Sequence, residues 1–338
     1  MDLFIAAIIG AVAGSMYRMS KKNKDEQNLR VTQKITNTPV TTNATSALNT
    51  RVDLNEQNLP TMVKQVCSVI EDKLRGKDLS AYHQNIKTLR FTPYIPMRGD
   101  NAAKKKGVYE SLYYNLDNLI YLSKKCTYLS LCHELLHLCT NRVINGVAYC
   151  GFAQITKRNV VGYGFNEGYT ELLTDRYFNE NHLYRTTYPK EVAFAKVIEN
   201  LVGRYRMEDL YFKSDLNGLV TQLNNYYRKE DILKFISSID IIGKACLEDG
   251  YKMNRKNLDN ALVYACNFAY DATDKKIKMS QGNDDVLCRS RILIKNALKE
   301  SLSLTVKDSP TYDYINEMLK RTDIDYPRER AHVKRKQF

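Results

Sequence analysis

The sequence predicts an α+β fold, in which a small mixed sheet packs on one central helix and an all-helical C-terminal subdomain follows. Three observations predict it. Segments rich in Tyr, Leu and Ile, which favour strands, are concentrated between residues 88 and 156. From Tyr188 onwards the apolar residues recur at helical spacing, as in EVAFAKVIENLVGRY and EDILKFISSIDIIGKACL. Between the two regions, TYLSLCHELLHLCT at residues 127–140 is apolar on nearly every side, which is typical of a buried helix.

Composition divides the 338 residues into five consecutive segments. They are an apolar N-terminal segment (1–19), a polar linker rich in Thr and Asn (20–57), the α+β core (58–187), the helical subdomain (188–322) and a basic tail (323–338). The hydrophobic fraction of 43% is enough for a globular core, which excludes disorder of the whole chain.

The apolar run LFIAAIIGAVAGSMY, residues 3–17, predicts that the N-terminus associates with a membrane. The run is shorter than the ~20 residues of a typical spanning helix. Only Asp2 is charged before it and the basic residues follow it, an order that favours a short anchor over a cleaved signal peptide. We therefore expect the rest of the chain on the cytoplasmic side of a membrane. The alternative is an amphipathic or buried helix in a cytoplasmic protein.

The formal net charge of +13 is partly concentrated near the two ends, around residues 18–24 and 328–336. Such clusters can contact anionic lipid or nucleic acid, although a solvated tail is the more common explanation. No nucleic-acid-binding module accompanies the charge, so we expect no specific nucleic-acid partner. The eight cysteines include no CxxC pair, and several lie within apolar stretches, which indicates buried thiols and a reducing compartment.

The core begins with a helix predicted over Pro60–Leu74, where Pro stands at the start and apolar residues follow at helical spacing. Two or three strands rich in Tyr, Leu and Ile are predicted after it. The candidate segments are Thr88–Ile95, Val108–Tyr114 and Asn118–Leu122.

The second part of the core centres on two helices. The first covers residues 127–140, with Thr127 or Ser130 able to cap it. A strand over Val147–Thr156 and the glycine-containing turn VVGYGF precede the second helix, which runs from about Asn166 to Phe178. The helical half then includes LDNALVYACNFAY and SRILIKNALKESL.

The segment His133-Glu134-Leu135-Leu136-His137 carries the clearest chemical signal. Two histidines four residues apart lie on one helix face, one turn apart, so both imidazoles can reach a single Zn²⁺ at ~2.0–2.1 Å. Glu134 can contact a metal-bound water without taking a coordination position, as in the HExxH arrangement of zinc metallopeptidases. A chance match is the alternative, but polar side chains in so apolar a helix need a partner, and a metal supplies one.

A second motif, NEGYTE at residues 166–171, follows about thirty residues later. Glu167 and Glu171 are four apart and share a helix face, so one carboxylate can ligate zinc while the other accepts the free N–H of a ligand histidine. Glu171 is a rival for the position of third ligand, and Asp175, one turn further, is a weaker one. A solvated helix face is the alternative role for Glu171 and Asp175.

HELLH followed by NEGYTE resembles the gluzincin clan, the thermolysin-like metallopeptidases whose pattern is HExxH plus NExx(S/T)(D/E). The resemblance covers residues 131 to about 178 and implies a zincin-like fold. The interval between the two motifs is longer than in thermolysin-type enzymes, which implies an inserted strand or loop. The resemblance also implies residue roles: His133, His137 and Glu167 as zinc ligands, Glu134 as the general base, and Glu171 as the residue that orients His133.

Together these observations predict a zinc-dependent peptidase that acts on a peptide or protein substrate. Zinc with three protein ligands lowers the pKa of its bound water toward ~7, and Glu134 takes the proton and later passes it to the leaving amine. Cys132 and Cys139 flank HELLH, and we interpret them as packing residues rather than ligands. The oxyanion needs a further donor. Candidates close to the motifs in sequence are Tyr163, Tyr169, His182, Arg204 and Tyr205.

Two other functional classes remain open. The chain could be a catalytically inactive metal-binding domain with a regulatory role, although the intact Glu134 argues against that. It could also be a membrane-tethered protein that binds nucleic acid or anionic lipid through its basic ends. Strongly salt-dependent binding that needs no zinc would favour this class.

Overall fold

The computed structural model describes most of the chain between residues 59 and 279, with scattered helical residues from 290 to 320. The continuous described ranges are 59–93, 111–122, 126–156, 159–179, 188–247 and 255–279. The predicted N-terminal anchor, linker and basic tail lie outside the described residues. Helices and two small sheets give the described part a mixed α/β fold, which confirms the coarse class predicted from the sequence.

The described residues between 59 and 122 form two helices and a three-stranded sheet. Helices α1 (Leu59–Lys73) and α2 (Ser80–Asn85) come first. The sheet follows, with the strand order β1-β3-β2, in which β1 runs parallel and β2 antiparallel to β3. Its strands are β1 (Arg90–Pro93), β2 (Ser111–Tyr114) and β3 (Leu119–Leu122). The predicted helix and strands are confirmed here over their described residues, and β2 forms one edge of this sheet.

Helix α3 (Tyr128–Thr140) is the centre of the core. Thr127 and Ser130 form a reciprocal capping box at its start, which satisfies two backbone N–H groups that the helix itself leaves without partners. From Ser130 to Thr140 every side chain is buried. The helix packs against α1, α2 and β2 and, further along the chain, against the strand Val147–Cys150 and the helix Tyr163–Phe178. The apolar residues around its whole circumference therefore find neighbours.

A second sheet fills the interval between the two motifs. Its four strands are antiparallel and lie in sequence order. They are β4 (Arg142–Ile144), β5 (Val147–Cys150), β6 (Ala153–Ile155) and β7 (Val160–Val161). The longer spacing between HELLH and NEGYTE is thus taken up by a small sheet.

Two tight turns shape this sheet, and the second divides the strand that the sequence predicts over Val147–Thr156 into β5 and β6. Asn145 and Gly146 have φ of 51° and 75°, the combination that joins β4 to β5 as a two-residue hairpin. The predicted single strand over Val147–Thr156 is broken at Gly151, whose φ of 55° reverses the chain. A Cβ at this position would collide with the side chain of Asn166, so only glycine allows the approach.

After the second sheet, the described residues up to 279 form six helices. The first of them, Tyr163–Phe178, packs against α3 and against the helices Pro189–Val202 and Lys229–Leu247, and it begins three residues before the predicted start at Asn166. Helical structure predicted from Tyr188 onwards is confirmed over the described residues. The helices are α4 (Tyr163–Phe178), α5 (Pro189–Val202), α6 (Arg204–Phe212), α7 (Leu216–Leu223), α8 (Lys229–Leu247) and α9 (Arg255–Met279).

A network of ion pairs ties α4, α5 and α6 to the turn after α1. Glu208 on α6 is buried and pairs with three cationic side chains, those of Lys77, Arg176 and Arg204. Arg176 on α4 also pairs with Glu199 on α5, with its Nη2 2.7 Å from Oε1. The network lies at the C-terminal end of α4 and holds elements from both halves of the chain together.

Two further expectations concern the membrane and the cysteines. Among the described residues, none of the helices combines the length and the apolar character needed to cross a membrane, while the apolar run at residues 3–17 lies outside them. The buried thiols expected from the sequence are confirmed at six positions: Cys67, Cys126, Cys132, Cys139, Cys150 and Cys266.

Candidate metal centre

The two sequence motifs meet at the contact between α3 and α4. HELLH lies in the last three turns of α3, and NEGYTE lies in the first half of α4. His133 and His137 extend from consecutive turns of α3 towards α4, and Glu167 and Glu171 extend from consecutive turns of α4 towards α3. All four side chains are buried.

The side chains of His133, His137 and Glu167 face one another in a group that we call the donor triangle; its corners are the two Nε2 atoms and the Glu167 carboxylate. The Nε2 atoms of the two histidines are 3.1 Å apart. Glu167 Oε2 lies 3.1 Å from His133 Nε2, and its Oε1 lies 3.4 Å from His137 Nε2. In a tetrahedral site with bonds of ~2.0–2.1 Å, neighbouring ligand atoms are about 3.3–3.4 Å apart. The three separations are therefore close to those of ligands that share one metal ion, and the group can hold one.

The pKa of Glu167 reflects its position beside the two histidines. Burial raises the pKa of Glu167, but the charge of His137 and hydrogen bonds from both histidines outweigh it and keep the pKa well below its usual range. Glu167 is therefore ionised at neutral pH, the form in which a carboxylate binds a metal.

Glu171 holds His133 from the side opposite the donor triangle. Its Oε2 lies 2.9 Å from His133 Nδ1, and both side chains are buried. Burial lowers the pKa of His133, but hydrogen bonds to Glu167 and Glu171 outweigh it and raise the pKa to about 9. A carboxylate on Nδ1 leaves Nε2 directed at the triangle, the arrangement found behind most metal-binding histidines.

His137 has two neighbours at its outer nitrogen. Cys150 Sγ lies 3.7 Å from His137 Nδ1, and the Cys150 thiol donates to the main-chain oxygen of the same histidine at 3.3 Å. Asn166 Nδ2 lies 3.2 Å from that nitrogen, while Asn166 Oδ1 accepts from the backbone N–H of Phe152 at 3.0 Å. The second sheet and α4 thus fix the His137 ring between them.

Glu134 contacts the first sheet. Tyr113 N–H, on edge strand β2, donates to Glu134 Oε2 at 2.7 Å. The Ser111 hydroxyl lies between Glu134 Oε1, at 2.9 Å, and the main-chain oxygen of Ser130, at 3.2 Å. Burial raises the pKa of Glu134, although the positive charges of the two histidines lower it. A carboxylate with a raised pKa near two imidazoles is suited to accept and return a proton.

The structure places most of the candidates for an oxyanion donor away from this group. Tyr169 donates from its hydroxyl to Glu199 at 3.0 Å and packs on the rings of Phe152 and Tyr211. Arg204 is exposed and donates to Glu208 at 2.9 Å, and the neighbouring Tyr205 is 84% exposed. Tyr163 is half-buried at the start of α4, and His182 lies outside the described residues.

Two further candidates from the sequence take other positions. Asp175 is exposed near the C-terminal end of α4, which agrees with a solvated helix face rather than with a ligand. Cys132 and Cys139 are buried in the hydrophobic core, as expected for packing residues.

Sequence reasoning missed several residues that contact the group, among them Tyr188 and Ser111. The ring of Tyr188, just before α5, stacks on that of His133 with centroids 6.3 Å apart and planes at 21°. Ser111 contacts Glu134 from strand β2. No sequence spacing relates either residue to HELLH, because both contacts arise from tertiary packing.

Searches against protein families, curated proteins and solved structures found nothing that matches this chain.

Proposed function

We propose that the chain is a zinc-dependent peptidase with a zincin-like arrangement of the gluzincin type. The observation that carries the proposal is the donor triangle of His133, His137 and Glu167. Its two Nε2 atoms are 3.1 Å apart, and one carboxylate oxygen lies 3.1 Å from the His133 Nε2 while the other lies 3.4 Å from the His137 Nε2. Glu171 behind His133 and Glu134 beside the triangle add the orienting and proton-accepting groups that such a reaction needs.

The donor chemistry fits zinc. Two imidazoles and one carboxylate are a ligand set of catalytic zinc sites, which keep a fourth position for water or substrate. Bound there, zinc would supply Lewis acidity and lower the pKa of a coordinated water toward ~7. The Cys132 and Cys139 thiols lie in the hydrophobic core, so the proposed site has nitrogen and oxygen ligands.

Glu134 is the proposed general base. It takes a proton from the water that attacks the substrate carbonyl and returns it to the leaving amine, because a peptide nitrogen departs only when protonated. Ser111 and Tyr113 N–H hold its carboxylate from the side of β2, which limits the rotamers open to it.

An extended peptide is the substrate class that the surroundings favour. Among the described strands, β2 lies at the edge of its sheet, and its Tyr113 N–H faces Glu134 rather than another of them. A peptide that lies along this edge can pair with it by main-chain hydrogen bonds, which bind many sequences alike. A carbonyl carbon of the bound peptide would then lie close to Glu134.

The test combines metal analysis with a hydrolysis assay on a mixture of quenched fluorescent peptides. We expect about one zinc per wild-type chain. Glu134→Gln should keep zinc and lose hydrolysis, and His133→Ala and Glu167→Ala should lose both. Asp175→Asn, a substitution of an exposed acid on α4, is the matched control and should keep both.

Each outcome separates the functional classes. Wild-type zinc content in both His133→Ala and Glu167→Ala contradicts the ligand assignment. Zinc binding without hydrolysis in the wild type indicates a metal-binding regulatory domain. A Glu134→Gln variant with wild-type turnover contradicts the role of Glu134 as the base.

A further inference from the structure

The helix that carries Glu167 and Glu171 begins without a side-chain cap of its own. Its N-cap residue is Gly162, with φ of 78° and no side chain to accept a hydrogen bond. The first N–H groups of any helix have no partner within the helix and need one from elsewhere. At α4 these groups lie inside the protein, next to α8.

Asp240 on α8 supplies the missing acceptor. Its Oδ2 accepts from Gly162 N–H and its Oδ1 accepts from Gly164 N–H, each at 2.8 Å. Both carboxylate oxygens are used, so the cap fixes the rotation as well as the position of the helix start. When ionised, the carboxylate also interacts favourably with the helix dipole; burial raises the pKa of Asp240 to about 7, although the backbone N–H groups lower it. The helical subdomain therefore caps the helix that holds two residues of the proposed site.

Close backbone packing places Asp240 within reach. A Cβ at Gly164 would collide with the main-chain oxygen of Ile239, and a Cβ at Gly243 would lie 3.1 Å from the Gly164 Cα. The two glycines thus let the backbones of α4 and α8 approach at this point. The contact depends on main-chain geometry on both sides, so side-chain repacking alone cannot replace it.

Glu167 lies within one helical turn of the capped residue Gly164. It lies three residues after Gly164, which corresponds to about 4.5 Å along the helix axis. A small rotation or shift of the helix start therefore moves the Glu167 carboxylate relative to the two imidazoles on α3. Donor atoms 3.1–3.4 Å apart leave little tolerance for such a movement.

We propose that Asp240 is a positioning residue for the metal site: by capping α4 from α8, it sets the position at which Glu167 meets His133 and His137. The inference rests on the proposed function, because it concerns the affinity of that site for zinc. It assigns to α8 a role in metal binding that the two motifs do not indicate.

Zinc affinity tests this role, measured on the full chain by competition with a chromophoric chelator. We expect Asp240→Ala to bind zinc at least about tenfold more weakly than the wild type, the effect usually seen when a supporting residue is lost. The zinc affinity of Asp240→Asn should lie between those of the wild type and Asp240→Ala, because the single amide oxygen of Asn can still accept from one of the two N–H groups. Amide hydrogen exchange at residues 164–167 should be faster in both variants.

Two controls separate positioning from general destabilisation. Asp231→Asn makes the same chemical change in the first turn of α8, where Asp231 pairs with the exposed Arg228, and should leave zinc affinity unchanged. Ile236→Val removes one methyl group from the core face of α8. It should lower the thermal unfolding temperature without the loss of zinc affinity.

The outcomes distinguish this inference from the proposed function. If the wild type binds no zinc, the proposed function fails and the inference fails with it. If the wild type binds zinc through His133 but both Asp240 variants bind it equally well, the inference alone is overturned. Should Asp240→Ala not fold, Asp240→Asn decides: wild-type affinity in that variant contradicts the positioning role.

Discussion

Replacing Glu171 tests whether it orients a ligand or serves as one. In Glu171→Gln the charged acceptor at His133 Nδ1 becomes a neutral amide of nearly the same size. The hydrogen bond is 2.9 Å long and buried, and the amide oxygen of Gln can still accept it, but without the charge. Hydrogen bonds to charged groups contribute about 1.5–3 kcal/mol and neutral ones about 0.5–1.5 kcal/mol, so the substitution costs about 1–1.5 kcal/mol. Because about 1.4 kcal/mol corresponds to a tenfold change in affinity, we expect zinc to bind roughly tenfold more weakly.

The assay is competition for zinc with a chelator of known affinity, on Glu171→Gln, Glu167→Gln and Asp175→Asn. Glu167→Gln should lose zinc far more severely, because it removes the carboxylate nearest the two imidazoles. Asp175→Asn alters an exposed acid one turn after Glu171 and should bind like the wild type. Equal losses in Glu171→Gln and Glu167→Gln would show that Glu171 is itself a ligand. An unchanged affinity in Glu171→Gln would refute the energetic argument.

Two further predictions concern the base and the ion-pair network. Ser111→Ala removes the hydroxyl that holds the Glu134 carboxylate. Steady-state kinetics should show kcat about tenfold lower, with KM and zinc content unchanged. An unaltered kcat contradicts the proposed role of Ser111 in holding the base. Glu208→Gln should lower the free energy of unfolding in urea by about 2–3 kcal/mol, since three cations lose their carboxylate. Burial raises the pKa of Glu208, but hydrogen bonds from its partners lower it to about 2. Its stabilisation is therefore complete above the ordinary value of 4.5 and is lost as the pH falls towards 2, a pH dependence that Glu208→Gln should lack.

Local sequence signals predicted the parts of the fold that depend on local physics. Helical spacing predicted α1 and the helical half, and the apolar circumference of HELLH predicted a buried central helix. Spacing of four residues placed His133 with His137 and Glu167 with Glu171, because one helical turn fixes which side chains share a face. The meeting of the two pairs required the helices to pack, and no spacing within either motif determines that.

The contacts that sequence reasoning missed are all non-local. Ser111 reaches Glu134 from strand β2, Tyr188 reaches His133 from the residue before α5, and Asp240 reaches Gly164 on α4 from 76 positions further along the chain. Proximity in sequence to the motifs also failed to predict which side chains face the proposed metal site as oxyanion donors. Tyr169 is two residues from Glu167, which on a helix is about 200° around the axis, so its side chain points to the opposite face.

Zinc should also stabilise the fold, because the proposed site joins elements from different parts of the chain. His133 and His137 come from α3, which packs on the first sheet, and Glu167 comes from α4, which packs on α5 and α8. A ligand that binds only the folded state stabilises it by about 4 kcal/mol at a free concentration 1,000 times its Kd. For a folded region of this size that is about 8–16 °C in the unfolding temperature.

Scanning calorimetry with zinc and with a chelator measures this stabilisation. Glu134→Gln should retain the full shift, because its carboxylate is no ligand in the proposed site, and His133→Ala should show none. The comparison is informative even when no substrate is known, since it needs no turnover. A zinc-dependent shift of equal size in His133→Ala would locate the metal elsewhere in the chain and would remove the structural basis for the peptidase.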